Sequence, residues 1–276
     1  EDAPAHRLLW SIGNWFPAGL RDQLFGGLIH LLTAHDMRRQ VLEVLREGGF
    51  DVVHKPIPVS PMAPSSLYGL GVPLVIGPMN GGMSYPPGYC RREGLVVRFF
   101  LWLGRLVARL ANRLWPGKRE AAVLLVANER TRKALPLHHA KIVTMAENAV
   151  DLGIWKLPET LPGDGKRRGF RLVYMGRMIP LKGLDLTLQA MLIVRASRPD
   201  LNITFDILGD GPERGWIEQR SIPGVYVHGF LTQAECAARL AGANALILNS
   251  LRECGGAVIL EAMALGVPVI ASDWGG

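Results

Sequence analysis

The second half of the chain alternates between two hydrophobic periods. From Phe170 onward, short apolar runs typical of buried strands alternate with stretches that have helical spacing of apolar positions, and a last strand-like run closes the series. The strand-like runs are FRLVYMG, NITFDILGDG, VYVHGF, ALILNS and VPVIAS. The helical stretches are KGLDLTLQAMLIVRAS, PERGWIEQRS, TQAECAARLAG and GAVILEAMALG. Strands that alternate with helices through short loops predict right-handed βαβ units and a parallel sheet.

The first half is less regular but also predicts α/β structure. Residues 20–46 and 91–115 have helical spacing of apolar positions. Four short apolar runs bounded by turn formers predict buried strands, and these are FDVVH, PLVIGP, AAVLLVANE and AKIVTMAEN. A stretch bearing proline and glycine, residues 156–169, predicts a linker. We therefore expect an N-terminal domain of residues 1–163 and a C-terminal domain of residues 164–276.

Composition adds that the chain can bury large cores and that it suits an anionic partner. Hydrophobic residues make up 49% of the 276 residues and charged residues 20%, which argues against a disordered chain. The net charge of +7 suits nucleotide diphosphates, anionic lipid or nucleic acid. Nucleic acid is the least favoured of these, because the basic residues show no aromatic interleaving. Three scattered cysteines do not predict a disulfide framework or a zinc site, so we expect a cytoplasmic protein.

The helical stretch 91–115 carries a narrow stripe of arginines. At 100° per residue they share one side of the helix, and they are Arg91, Arg98, Arg105, Arg109 and Arg113. One interpretation is peripheral docking on the anionic inner face of a membrane. The other is a core helix with one solvated stripe.

Charged residues and glycines follow the strands of the second half, where a parallel sheet binds its ligands. Arg177 and Lys182 flank a strand end in GRMIPLKG, and two cations there fit a diphosphate. The glycines of GDGPE, from Gly209, let the backbone approach a ligand closely. Solvated loop cations and ordinary turn glycines are the alternatives.

The stretch ECGGAVILE combines two carboxylates with the expected start of a helix. A helix that begins near Gly255 or Gly256 offers free N–H groups and the positive end of its dipole to an anion. Glu253 in the loop and Glu261 in the helix would then accept hydrogen bonds from sugar hydroxyls on either side of that anion. Two incidental glutamates on a surface helix are the alternative. In the first half, the loop GPMNGGMSYPPGY is either a second ligand-lining segment or a surface loop.

Taken together, GRMIPLKG, GDGPE and ECGGAVILE followed by AMALGVPVIASDWGG resemble the donor-binding half of retaining glycosyltransferases of family 4, also called glycosyl transferases group 1. FDVVH, PLVIGPMNGG, LLVANERTRKAL and VTMAENAVD resemble the acceptor domain of that family more loosely. The resemblance implies an α/β fold of GT-B type, in which two Rossmann-like domains with parallel sheets face a central cleft. It also implies that the chain is truncated at both ends, so that both domains are incomplete.

The resemblance implies a role for each matching residue. Arg177 and Lys182 would neutralise the leaving diphosphate, and Glu253 would contact the hydroxyls of the donor sugar. The donor-binding residues would be Glu261 at the ribose, Phe230 and Leu231 at the base, and Gly209, Gly255, Gly256, Ala257 and Val258 at the phosphates and nearby backbone. The acceptor-side residues would be Asn80, Gly81 and Gly82. The family histidine that follows the first-domain strand is not found, and Ala149 replaces a glycine in ENAVD.

These roles imply a cytoplasmic, metal-independent glycosyltransferase with no cofactor. Its donor would be a nucleotide-diphosphate sugar and its acceptor a glycan or lipid-linked sugar of cell-surface polysaccharide. Two alternatives stay open at this point. One is a sugar-nucleotide epimerase of the same architecture, and the other is a non-catalytic sugar-nucleotide-binding protein.

Overall fold

The computed structural model of the chain describes residue 11 and residues 18–57, 60–92, 95–157, 169–253 and 255–274. These residues form two compact units. The first unit comprises Glu1–Met79, Val96–Val126 and Arg132–Thr144, and the second comprises Asn80–Leu95, Ala127–Thr131 and Met145–Gly276, each within the described residues.

The first unit is built on a four-stranded parallel sheet. Its strands are β1 (Val53–Lys55), β2 (Leu74–Met79), β3 (Val123–Val126) and β4 (Ile142–Thr144), in the order β1-β2-β3-β4. The helices of the first half of the chain are α1 (Ala18–Arg46), α2 (Leu95–Leu114), α3 (Gly117–Glu120) and α4 (Glu129–Ala134), with a 3₁₀ helix at Pro87–Arg92.

The core of the first unit lies on the two central strands. Ile76 of β2 and Leu124 of β3 face each other in register and are 2% and 0% exposed. Leu67 packs in the same cluster, and Met37 and Val41 of α1 pack against it. Central strands of a parallel sheet bury both faces, so their near-continuous apolar sequences follow from this position.

The second unit contains a five-stranded parallel sheet and most of the remaining elements. Its strands are β5 (Phe170–Met175), β6 (Ile203–Leu208), β7 (Val225–Gly229), β8 (Ala245–Leu248) and β9 (Val269–Ala271), in the order β7-β6-β5-β8-β9. Its helices are a 3₁₀ turn (Pro180–Lys182), α5 (Leu184–Ser197), α6 (Arg214–Gln219), α7 (Gln233–Leu240) and α8 (Ala257–Ala264).

This second sheet is covered by helices on both faces. Val173 of β5 packs into a cluster with Leu240 of α7, whereas the next residue, Tyr174, packs into a cluster with Leu188 of α5. Successive side chains of a strand point to opposite faces, so α5 and α7 lie on opposite sides of the sheet. The unit therefore has three layers, as the alternation of strands and helices predicts.

The predicted α/β class with parallel sheets is confirmed. One boundary differs: FDVVH forms a strand only from Val53, and Phe50 and Val52 are 47% and 51% exposed. Among the described residues β1 pairs with β2 alone, and Val53 lies opposite Leu74, the first residue of β2, so the residues before Val53 have no residue of β2 to pair with. The predicted domain boundary between residues 163 and 164 lies outside the described residues and stays a prediction. Among the described residues, no helix combines the length and apolar character needed to span a membrane.

Candidate functional site

The second sheet reverses its strand order at β5. From β5 the chain proceeds to β6 and β7 on one side, and then to β8 and β9 on the other. Open parallel sheets bind ligands at the carboxyl ends of the strands where this reversal occurs. The loops that follow β5 and β8 meet there, because the Leu251 N–H donates to the Leu181 carbonyl over 2.8 Å.

Lys182 and Glu253 form an ion pair at this reversal point. Lys182 closes the 3₁₀ turn after β5, and its Nζ contacts Oε2 of Glu253 in the loop after β8. The hydroxyl of the buried Ser250 donates to the same oxygen over 3.0 Å. The side chains of Lys182 and Glu253 are 21% and 19% exposed to solvent. The pair therefore holds the ammonium in position while a ligand can still reach it.

Arg177 does not take part in this pair. Its side chain is exposed, and its backbone carbonyl accepts a hydrogen bond of 2.8 Å from the hydroxyl of Tyr174. Burial raises the pKa of the Tyr174 phenol, and the carboxylates of Glu253 and Glu213 raise it further, so the phenol remains a donor. The backbone at Arg177 is thus fixed, while its guanidinium extends into solvent at the strand end.

Helix α8 begins at a glycine N-cap. Its first helical residue is Ala257, and the N-cap is Gly256, which adopts the left-handed conformation with φ 40° and ψ 59°. Glycine has no side chain that could cap the helix, so the first-turn N–H groups have no side-chain cap from the N-cap residue. The helix begins at the position that the sequence predicts, and its start provides the geometry of an anion site.

Gly255 sits in a tight setting made by three polar side chains. A Cβ at this position would lie 2.4 Å from Nδ2 of Asn148, 2.7 Å from Oε1 of Glu147 and 3.4 Å from Nδ2 of Asn80. The amide of Asn148 donates to the Gly255 carbonyl over 2.7 Å, which fixes this peptide directly before α8. A side chain at position 255 would require these side chains to move, which favours glycine here in ECGGAVILE.

The predicted acceptor-side residues Asn80, Gly81 and Gly82 belong to the second compact unit. Asn80 donates from Nδ2 to the carboxylate of Glu147. Gly81 exchanges two hydrogen bonds of 3.2 Å with the side chain of the buried Thr131, donating from its N–H and accepting at its carbonyl. Asn80 thus lies with Glu147 and Asn148 beside Gly255, whereas Gly81 is hydrogen-bonded to α4.

Glu261 lies in the second turn of α8 and is half-buried. Burial raises the pKa of its carboxyl above the ordinary value. Its charge also contributes to the raised pKa of the Cys236 thiol in α7, after the larger effect of burial on that thiol. The predicted role of Glu261 at the ribose stays a prediction.

Gly209, Phe230 and Leu231 follow the strands on the other side of β5. Gly209 has φ 135°, and a Cβ there would lie 2.0 Å from the Gly176 carbonyl oxygen, so the strand ends approach each other through backbone alone. Phe230 is 82% exposed, while Leu231 packs against a core cluster. A capping box between Thr232 and the first turn of α7 fixes the backbone just beyond them.

Sequence reasoning missed Glu147 as a site residue. The only signal was its position next to Asn148 in ENAVD, the stretch that resembles the family. Asn80 and Glu147 are 67 residues apart in sequence, so their contact depends on tertiary packing. No group of three or more His, Cys, Asp or Glu side chains arranged to hold a metal ion occurs among the described residues.

Residues 169–276 match the family model of the glycosyl transferases group 1. The matched segment contains every strand and helix of the second sheet together with Lys182, Glu253 and Glu261. The predicted resemblance to the group 1 glycosyltransferases is therefore confirmed.

The chain is similar in sequence to two curated glycosyltransferases. A glycogen synthase of Mycobacterium tuberculosis is 30% identical over 139 residues, which are 49% of this chain and 32% of that protein. A phosphatidyl-myo-inositol mannosyltransferase of Propionibacterium freudenreichii is 28% identical over 241 residues, which are 85% of this chain and 55% of that protein. The chain thus spans about a third to about a half of the length of these relatives.

A solved structure gives the fold. HepE of Anabaena, determined in complex with UDP and glucose, superimposes with a TM-score of 0.56 and 16% sequence identity, covering 87% of this chain and 64% of its own. At this identity the likeness establishes the fold alone. It confirms the predicted GT-B class.

Proposed function

We propose that the protein is a glycosyltransferase that moves a sugar from a nucleotide-diphosphate sugar to a glycan or lipid-linked acceptor. The observation that carries this proposal is the Lys182–Glu253 pair at the strand reversal, next to the glycine-bounded start of α8. It combines a cation and backbone amides for a diphosphate with a carboxylate for sugar hydroxyls. The similarity to a glycogen synthase and to a phosphatidyl-myo-inositol mannosyltransferase supports a glycosyltransferase.

The reaction requires that the charge developing on the departing diphosphate be stabilised. Lys182 would exchange the oxygen of Glu253 for a phosphate oxygen, and the first-turn amides of α8 would donate to the same group. Glu253 is then released to accept hydrogen bonds from the donor sugar. Removal of one such charge-stabilising donor typically costs about 10²–10³ in kcat. We infer retention of anomeric configuration and no metal requirement, with Arg177 as a second cation for the leaving group.

Helix α2 suggests how a lipid-linked acceptor would be reached. It contains no acidic residue between Leu95 and Leu114. Its exposed apolar side chains include Trp102 (59%) and Leu114 (75%). The remaining ones are Phe99, Leu103, Leu106, Val107 and Leu110, and the exposed arginines beside them are Arg105, Arg109 and Arg113.

An apolar strip flanked by arginines fits a membrane surface with anionic headgroups. We infer peripheral docking of α2 on the inner face of a membrane, where a cell-surface glycan precursor would be extended. Sedimentation with phosphatidylglycerol vesicles should exceed that with phosphatidylcholine vesicles, and Trp102→Glu should abolish the difference. Equal sedimentation with both lipids, or an unaffected variant, would remove this part of the proposal.

The donor is tested directly with the full-length protein. Thermal denaturation in the presence of UDP-glucose, GDP-mannose and ADP-glucose should show a raised melting temperature with one of these nucleotides. Glu261→Ala should reduce that rise if the carboxylate binds the ribose. Absence of any stabilisation by all three would count against a sugar-nucleotide site.

A further inference from the structure

Glu147 places a carboxylate directly beside the start of α8. Its Oε1 accepts a hydrogen bond from Nδ2 of Asn80 and lies against the Cα of Gly255, two residues before the first residue of the helix. Within the described residues, Glu147 forms no ion pair with a lysine, arginine or histidine. A lone carboxylate at a predicted phosphate site is chemically unexpected, because its charge opposes that of a diphosphate.

Asn80 carries a second unsatisfied group at the same place. Its side chain is only 7% exposed, and its Oδ1 is buried without a hydrogen-bond partner among the described residues. The amide orientation is fixed, because Nδ2 donates to the Glu147 carboxylate, which can only accept when ionised. Oδ1 is therefore free to accept a hydrogen bond from a ligand, and a buried acceptor without a hydrogen bond is destabilising.

The backbone around the two side chains is held rigidly. Asn148 donates to the Gly255 carbonyl, and a Cβ at position 255 would lie 2.4 Å from Nδ2 of Asn148 and 2.7 Å from Oε1 of Glu147, so these side chains pack closely against the Gly255 backbone. The two acceptor oxygens, Oε of Glu147 and Oδ1 of Asn80, are therefore presented on a fixed support. Sugar hydroxyls are the simplest ligands for these two oxygens, since each hydroxyl donates one hydrogen bond and brings no negative charge.

We propose that Glu147 and Asn80 form a hydroxyl-binding pair for the donor sugar, in addition to Glu253. This proposal rests on the proposed glycosyltransferase function. The same charge on Glu147 gives it a second effect. It weakens the binding of the free nucleotide diphosphate, which has no sugar hydroxyl to offer in return, and so favours release of that product.

Glu147 should strengthen binding of the sugar nucleotide and weaken binding of the free diphosphate. Because the two effects have opposite signs, affinity measurements on the two ligands can separate them. Calorimetry measures the binding of the sugar nucleotide that the wild type accepts and of its free diphosphate. The pairs are UDP-glucose with UDP, GDP-mannose with GDP and ADP-glucose with ADP. In Glu147→Gln the free diphosphate should bind at least about fivefold more tightly, because the repulsive charge is gone. The sugar nucleotide should bind more weakly, because a charge-assisted acceptor is lost. The gain in affinity that the sugar provides should therefore shrink.

Two further variants separate the parts of the pair. Asn80→Ala should reduce the contribution of the sugar without tightening the free diphosphate, because it removes no charge. Glu43→Gln, at an exposed glutamate of α1 in the first unit, is the matched control and should change neither affinity. Melting temperatures of all variants check that each is folded.

The outcomes distinguish this inference from the proposed function. If the wild type binds none of UDP-glucose, GDP-mannose and ADP-glucose, both the function and the inference fail. If the wild type binds, but Glu147→Gln weakens both ligands together or changes neither, Glu147 has only a structural role. The inference is then wrong while the proposed function stands.

Discussion

Two lysines in the first unit are almost fully buried, and they make the stability of the protein depend on pH. Lys118 is 2% exposed and donates from Nζ to the Pro61 carbonyl over 2.6 Å, while Lys55 is 5% exposed and donates to Oγ of Ser65 over 3.3 Å. Burial lowers the pKa of Lys55 from 10.5 to about 8. Burial, followed by repulsion from Lys55, lowers the pKa of Lys118 from 10.5 to about 7.

The direction of the pH effect follows from proton binding. Between about pH 7 and 10.5 the unfolded chain holds a proton on Lys118 that the folded chain has lost, so the free energy of unfolding rises with pH in this window. The slope is about 1.4 kcal/mol per pH unit, and the whole shift corresponds to about 5 kcal/mol. That is a large fraction of the roughly 5–15 kcal/mol by which a domain is stable.

Replacement by a neutral side chain of similar length isolates this contribution. At pH 7, Lys118→Met should raise the free energy of unfolding by roughly 3 kcal/mol, after subtraction of about 1 kcal/mol for the lost hydrogen bond. Near pH 10 the gain should fall to about zero, because the remaining cost of deprotonation on folding is only about 1 kcal/mol and the lost hydrogen bond offsets it. Urea unfolding followed by circular dichroism between pH 6.5 and 10 measures both values.

The matched control is Lys133→Met, at an exposed lysine of α4, which should show no such pH dependence. A stability difference between Lys118→Met and the wild type that stays constant across the pH range would refute the reasoning. So would a variant that is less stable than the wild type at pH 7.

Two other substitutions test the second unit. Gly209→Ala should destabilise by about 3 kcal/mol or more, because the new Cβ would lie 2.0 Å from the Gly176 carbonyl oxygen, and an unchanged melting temperature would contradict this. Asp206 is 6% exposed; burial raises its pKa, but the hydrogen bonds with His228 and Arg171 outweigh burial and lower the pKa overall. The stability from Asp206 is therefore present above the unfolded pKa of about 3.9 and is lost as pH falls through the lower folded value. Asp206→Asn should cost about 3 kcal/mol at pH 7 and flatten acid unfolding, which pH titration of the circular dichroism signal would detect.

The regular part of the fold was predictable because its signal is local. Each strand of the second sheet is a short apolar run and each helix has its own apolar face, so the period alone predicts the alternation. The start of α8 was predictable as well, since Gly255 and Gly256 precede an apolar stretch that has no other capping residue. The first residue of β1 was not predictable. Among the described residues β1 pairs with β2 alone, so it begins at Val53, opposite the first residue of β2.

The site was predictable where a motif brings chemistry and position together. Lys182 and Glu253 are 71 residues apart, but each lies in the loop that follows a strand of one parallel sheet, and β5 and β8 are neighbours, so the topology brings the two loops close. Glu147 and Lys118 could not be found in this way. Glu147 follows no predicted strand of the second sheet, and Lys118 stands in the charged run GKRE, which is typical of an exposed helix but is buried here.

The central claim is that Lys182 stabilises a departing diphosphate. The most direct measurement is kcat for sugar transfer by the full-length protein and its Lys182→Ala variant, with Lys133→Ala as the control. We predict a fall of at least about tenfold in kcat for Lys182→Ala and no change in kcat for the control. An unchanged kcat in Lys182→Ala, with the donor bound and transferred as in the wild type, would contradict it.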